Sequence, residues 1–266
     1  MQYPGRIIKV GENDANLVKA IKHQLNIVLV LLNDTKLKLD EADPTFGQNM
    51  KQAVKLFQAR TADSEGMPLK QDGEVGSLTW SALFGQHTVI VSMHAESGFL
   101  SKVVEIAGAE EAAKVREIPL GSNRGPRVDE YLITTGNSVG SYWCCAFVYW
   151  CFDEASKKTV PPRENPMVKT ASCLDHWNRA ISKGAKRITK AQAVNNTSLL
   201  KPGMIFIINH GGGYGHTGII ESVNGGYITT IEGNTNPDMS NNGYGVFRLR
   251  RKIADINKGF IDYTGV

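Results

Sequence analysis

Gly211-Gly212-Gly213-Tyr214-Gly215-His216-Thr217-Gly218-Ile219-Ile220-Glu221-Ser222-Val223 runs into Asn224-Gly225-Gly226 and returns as Tyr227-Ile228-Thr229-Thr230-Ile231-Glu232-Gly233-Asn234. Two β-branched runs around a Gly-rich turn form a hairpin signal. If Asn224-Gly225-Gly226 is a three-residue loop, Val223 opposes Tyr227. The ladder then sets His216 opposite Asn234, with Glu232 one diagonal away, and all three share a face. A two-residue loop would turn Glu232 and Asn234 away from His216 unless a bulge restored the register. The three-residue loop is expected. A histidine facing an acid and an amide is held in one tautomer, and its protonated form is steadied.

Further strands are expected at Met204 to Ile208 and Val246 to Arg250, with Gly and Asn clusters between. Helical spacing precedes them, from Leu100 through Ala112 and at Val128 to Leu132, broken by Gly121, Gly125 and Pro126. Helices first and strands afterwards indicate an α+β domain. A third helix is expected near Ser141, after the turn Gly136-Asn137-Ser138-Val139-Gly140, with Cys144 in its first turn. There a thiol feels the positive end of the helix dipole, so its pKa is expected to fall below that of a free cysteine. Free amides at the helix start suit an oxyanion. The remainder, Cys145 to Phe152, is apolar almost all round and reads as a buried core helix. Without a partner base, Cys144 reads more readily as a buried structural thiol.

The first part of the chain has a different texture. Leu17, Ile21 and Leu25, then Phe46, Met50, Ala53, Val54 and Phe57, recur at helical intervals. Asp72-Gly73-Glu74-Val75-Gly76 supplies turn chemistry, and Ser77 is expected to cap a short helix with Leu78, Trp80, Leu83 and Phe84. A compact three-helix domain over 1–85 follows, then a linker over 86–98 and the α+β domain over 99–266. The chain has 266 residues and a formal charge of +4, enough to favour polyanions such as cell wall but too small to point to nucleic acid. Its longest aliphatic run, Ile27 to Leu32, is far shorter than the roughly 20 residues of a membrane span. Met1-Gln2-Tyr3-Pro4-Gly5-Arg6 opens no classical signal peptide, so production in the cytoplasm and delivery by another route are expected. Cys144, Cys145, Cys151 and Cys173 are clustered, which argues for reduced thiols and against a disulfide framework. Core packing is the plain reading of the last three. A zinc site on Cys173-x-x-His176 with His210 or His216 lacks a paired C-x-x-C, so neither metal nor cofactor is expected.

Two resemblances emerge. Thr45-Phe46-Gly47-Gln48-Asn49 leading to Ala53-Val54-Lys55-Leu56-Phe57-Gln58, then Asp72 to Gly76 and Thr79-Trp80-Ser81-Ala82-Leu83-Phe84, resembles the peptidoglycan-binding repeat of wall hydrolases. The stretch Asn26 to Asp43 is longer than usual there, which implies an altered groove. A spacer built on the same helical core is the alternative. The remainder, from about Phe99, resembles the CHAP family of papain-like cysteine amidohydrolases and peptidases. The resemblance rests on Glu117 with Asn123 to Leu132, Trp143-Cys144-Cys145-Ala146-Phe147-Val148, Lys201 to Phe206, Gly215-His216-Thr217-Gly218-Ile219 and Ile231-Glu232-Gly233-Asn234-Thr235. Cys145 departs from it, standing where alanine or serine is usual.

This resemblance implies helices packed on an antiparallel sheet, with Cys144 as nucleophile, His216 as base, Glu232 orienting and Asn234 assisting. Trp143, Asn123 and Trp80 are the expected substrate contacts, whereas Asp153, Glu154 and His210 are expected outside the site. The implied activity is hydrolysis of an amide in the peptide part of peptidoglycan, as amidase or endopeptidase, with a lean to amidase. A phage endolysin or an injected antibacterial effector is the expected setting, acting as a monomer, with an immunity protein as a further expected partner. The rivals are an inactive wall-binding module and an amidase for a small soluble amide.

Overall fold

The structure, a computed structural model, describes residues 1–31, 38–239 and 243–266. Contacts divide it into two compact units, Met1–Ile90 with Val194–Thr197, and Val91–Ala193 with Ser198–Val266.

The first unit contains helices α1 (Ala15–Leu31), α2 (Gln48–Ala59) and α3 (Ser77–Phe84). The periodic residues form its core: Leu17, Ile21, Leu25, Met50, Val54, Phe57 and Trp80 are all buried. Gly76, not Ser77, is the N-cap of α3, and no side chain caps it. Gln58 ties the turn to the helices: its amide accepts from Gly73 N at 2.9 Å and donates to Glu74 O at 2.9 Å and Thr79 Oγ1 at 3.1 Å. Gly73 has φ +75°, and a Cβ there would stand 2.6 Å from Lys51 Cγ, so the turn requires glycine. The long insertion is anchored at both sides, by Asn26 to the Leu39 backbone and by Lys22 Nζ to Asp43 at 2.8 Å. Lys22, Asp43 and Thr45 line a cavity of about 410 Å³. Part of that insertion, 32–37, lies outside the described residues.

The second unit is α+β, with helices packed on an antiparallel sheet. In chain order it comprises β1 (Val91–Ser92), α4 (Gly98–Ala112), α5 (Pro126–Thr135), α6 (Cys144–Lys157), α7 (Cys173–Arg179), β2 (Lys186–Thr189) and, as far as Ala193, α8 (Lys190–Asn195). Then follow β3 (Ile205–Gly211), β4 (Tyr214–Asn224), β5 (Tyr227–Thr235), β6 (Gly245–Lys252) and β7 (Gly259–Asp262). Among the described residues the sheet runs β2-β7-β3-β4-β5-β6, with β1 beside β4. Helix α6 lies against β4 and β5 and is buried from Cys144 to Phe152, as its all-apolar face requires. It comes close because Gly233 has no side chain: a Cβ there would lie 2.6 Å from Trp143 and 2.7 Å from Phe147.

The turn differs from the expected one. Asn224 pairs with Tyr227, so the loop is the two residues Gly225-Gly226. The register shifts between Ser222 and Ile220, leaving Glu221 as an extra residue on β4, and Ile219 then pairs with Ile231. Gly225 has φ +59°, the left-handed conformation a tight hairpin turn selects. The bulge moves the ladder by one residue and returns His216 to the face of Glu232. Glu221 is held by Arg248 at 2.7 and 2.9 Å.

Candidate active site

Cys144 is the first residue of α6, and Trp143 is its N-cap. Phe147 N makes the first helical bond, to Trp143 O at 2.9 Å, so the amides of Cys144, Cys145 and Ala146 precede the hydrogen-bonded ladder. His216, on β4, shares the wall of one cavity with the Cys144 thiol, whose sulfur lies 4.0 Å from the carbonyl of the neighbouring Gly215. Its Nε2 meets Glu232 Oε2 at 2.7 Å, which leaves Nδ1 for the sulfur. Cys144 and His216 are each 5% exposed and Glu232 is fully buried.

Glu232 is satisfied all round. Arg251, from the end of β6, donates to both carboxylate oxygens at 2.6 Å, and Thr230 Oγ1 donates to Oε1. Burial alone would raise the Glu232 pKa, but Arg251 and then His216 outweigh it and bring it to about 2. Burial likewise lowers that of His216, while its hydrogen bonds to Cys144 and Glu232 carry it up to about 9. Gly218 makes room for this array: a Cβ there would lie 2.6 Å from Glu232 Cγ and 2.9 Å from Phe206.

The expected fall in the Cys144 pKa does not occur. The Cys173 thiol, 3.5 Å away, and burial raise it well above the ordinary thiol value, while His216 pulls in the opposite direction. The neighbouring thiol and burial set the direction of this shift.

Asn234 has a different task from orienting the imidazole. With φ +56° and 2% exposure, it accepts from Trp143 N at 3.1 Å, and its amide donates to Asn123 Oδ1 at 3.1 Å and Gly243 O at 2.8 Å. It therefore pins the start of α6 to β5. Asn123 is joined to the site through it.

Two expected substrate contacts are corrected. Trp143 is fully buried, its indole donating to Glu117 at 2.9 Å, and Trp80 is fully buried with its indole on Thr88 Oγ1 at 3.0 Å. Both fill cores, because their large apolar surface is better removed from water. His210, expected outside, lines the same cavity as Cys144 and His216. Asp153 and Glu154 pair with Lys157 at the end of α6, away from the cavity lining. Cys173 lies in the core as expected, and it also touches Cys144 and lines the cavity.

His176 stands one turn beyond Cys173 on α7 and is close to Cys144 as well. Its Nε2 is engaged by Tyr263 Oη at 2.9 Å, and burial lowers its pKa to about 3.

Arg251 was missed by one residue, since the expected strand stops at Arg250. Glu232 pairs with Phe247, so Leu249 and Arg251 continue on the face of Glu232, and a strand one residue longer reveals the contact.

The cavity measures about 520 Å³. Among the described residues its lining contains no Lys, Arg, Asp or Glu, and Tyr142 and Tyr214 meet edge to face on it at 6.0 Å, both exposed. Among the described residues no three His, Cys, Asp or Glu side chains converge as a metal site, and no helix is long and apolar enough to cross a membrane.

Residues 136–234 match the family model described as the CHAP domain. The segment runs from the turn before α6 to Asn234 on β5, so it contains the thiol, the imidazole and the carboxylate. No curated protein and no solved structure matches the chain. The second unit thus carries a CHAP domain, and the buried thiol and histidine side by side in it form a cysteine-hydrolase active site.

Proposed function

We propose that the protein hydrolyses an amide bond in the peptide part of bacterial peptidoglycan, with Cys144 as nucleophile and His216 as base. The observation that carries this reading is the placement of Cys144, at the start of α6, and His216 on one cavity wall, with Glu232 bonded behind the imidazole, within the matched CHAP segment. His216 takes the thiol proton, and the thiolate attacks the amide carbonyl. The amides at the helix start face the developing oxyanion. His216 then gives its proton to the leaving amine, and water, activated by the same imidazole, releases the acyl group. Glu232 keeps the imidazole oriented and stabilises its charged form. Asn234 holds the helix end in place.

The cavity lining favours the bond between N-acetylmuramic acid and L-alanine. Two exposed tyrosine faces suit a sugar ring, and among the described residues the lining has no Lys or Arg to hold the carboxylates that flank bonds further along the stem. The three-helix unit, by its likeness to the wall-binding repeat, tethers the enzyme to its insoluble substrate. Delivery as an endolysin or an injected effector, with an inhibitor protein guarding the producer, belongs to the same reading.

Muropeptide mass spectrometry of digested sacculi tests it. Release of free stem peptides beginning with L-alanine is expected, and none with Cys144→Ala, whose binding to sacculi should persist. Full lysis by Cys144→Ala overturns the assignment.

A further inference from the structure

The hydrolytic scheme leaves Cys173 without a task, although it is the nearest sulfur to the nucleophile. Its Sγ lies 3.5 Å from Cys144 Sγ, and both thiols are free, buried and on the wall of the same open cavity. They come from different elements, Cys144 opening α6 and Cys173 opening α7. The sulfurs already touch and need only about 1.5 Å of further approach to reach bonding distance, a shift within reach of side-chain rotation and small movement of α7. Small solutes reach both through the cavity.

We propose that Cys144 and Cys173 are a redox pair, Cys173 being the resolving thiol that converts an oxidised nucleophile into a reversible disulfide. The proposal rests on the reading of Cys144 as the reactive thiol. The oxidant is hydrogen peroxide. The Cys144 thiolate, its proton taken by His216, attacks one peroxide oxygen. The O–O bond breaks, a sulfenic acid forms, and the departing oxygen takes up a proton and leaves as water. The Cys173 sulfur then attacks the Cys144 sulfur, the S–S bond forms, and the hydroxyl leaves with the Cys173 proton as a second water. Two thiols are oxidised to one disulfide, and one hydrogen peroxide is reduced to two waters. The disulfide occupies the nucleophile, so hydrolysis stops, and it spares the sulfur from sulfinic acid, which thiols do not reverse.

Cys145 is the internal competitor. It also lies beside Cys173, but its Sγ is turned to Thr170 O at 3.5 Å and it is fully buried. The pairing is therefore assigned to Cys144.

Hydrogen peroxide treatment of the full chain, followed by non-reducing tryptic mapping, tests the pair without requiring hydrolysis. The peptide from Val128 to Lys157 should be linked to that from Thr170 to Arg179, both in the wild type and in Cys145→Ala. Wall-lytic activity, referred to each variant's own reduced form, should fall at least about tenfold and return with dithiothreitol. In Cys173→Ala, with Cys173→Ser as the second choice should alanine not fold, the loss should be irreversible and Cys144 should appear as sulfinic acid. Sulfinic acid at Cys144 of the wild type without the linked peptides overturns the proposal, as does a link that disappears in Cys145→Ala. A linked pair in a protein that never lyses sacculi refutes the peptidoglycan reading instead.

Discussion

Arg251 grips both carboxylate oxygens of Glu232, at 2.6 Å each, so the acid behind His216 is itself clamped from the neighbouring strand. The guanidinium is mostly buried and also lies over the Phe206 ring, 5.2 Å from its centroid. Charge, orientation and packing all converge on one side chain. Arg251→Ala leaves a buried carboxylate with a single ionic partner, and a stability loss of about 3 kcal/mol is expected in urea unfolding. Lysis should fall more than the folded fraction does, because His216 loses its fixed orientation. Arg251→Lys should recover part of the stability but not the two-pronged geometry.

His216 makes stability decline on the alkaline side. With its pKa at about 9 in the folded protein against an ordinary 6.5, its contribution is complete below 6.5 and disappears as the pH rises towards 9. Melting temperatures measured across that window should fall in the wild type. His216→Gln should start lower and stay flatter.

His176 does the reverse. Its folded pKa of about 3 means that the unfolded chain takes up a proton first, so stability drops as the pH is lowered from 6.5 towards 3. A single group contributes at most about 1.4 kcal/mol per pH unit. Glu232 adds its own loss only below about 4.5, on the way to 2. Between 6.5 and 4.5, therefore, His176→Gln should flatten the acid slope of the melting temperature while wall lysis at neutral pH persists.

Two glycines should behave differently from each other. Gly233→Ala pushes a methyl into Trp143 and Phe147, and overpacking of this kind costs about 1–3 kcal/mol. Gly218→Ala pushes into the Glu232 side chain and the Ile231 carbonyl, so it should displace the acid from His216. Unfolding and lysis measured together should show Gly233→Ala losing mainly stability, and Gly218→Ala losing activity beyond its stability cost.

What the sequence conveyed followed periodicity. The helices around Leu17, Met50, Trp80, Val103, Val128 and Phe147 and the four strands from Ile205 to Lys252 announce themselves by burial spacing. Strands β1, β2 and β7, each of four residues or fewer, and the seven-residue α7 carry too short a pattern to register. His216 and Glu232 could be placed on one face by counting along the hairpin. The turn length was misjudged because Asn224-Gly225-Gly226 fits two loop types, and a bulge at a charged residue leaves no local mark. Cys173 stayed hidden for another reason: its meeting with Cys144 depends on where a loop returns the chain, which spacing does not encode. The thiol pKa depended in turn on that contact.

The extra residue at Glu221 ties the count at the tip of the hairpin to its chemistry. A residue gained or lost near Gly225 reaches the imidazole unless the bulge compensates for it, so the two ends of this ribbon answer to joint selection. Lengthening the tip by one residue while deleting Glu221 would leave the His216 to Glu232 alignment intact, whereas either change alone would swing the histidine to the far side of the sheet. Natural variants of this hairpin should therefore differ by compensated pairs of insertions and deletions.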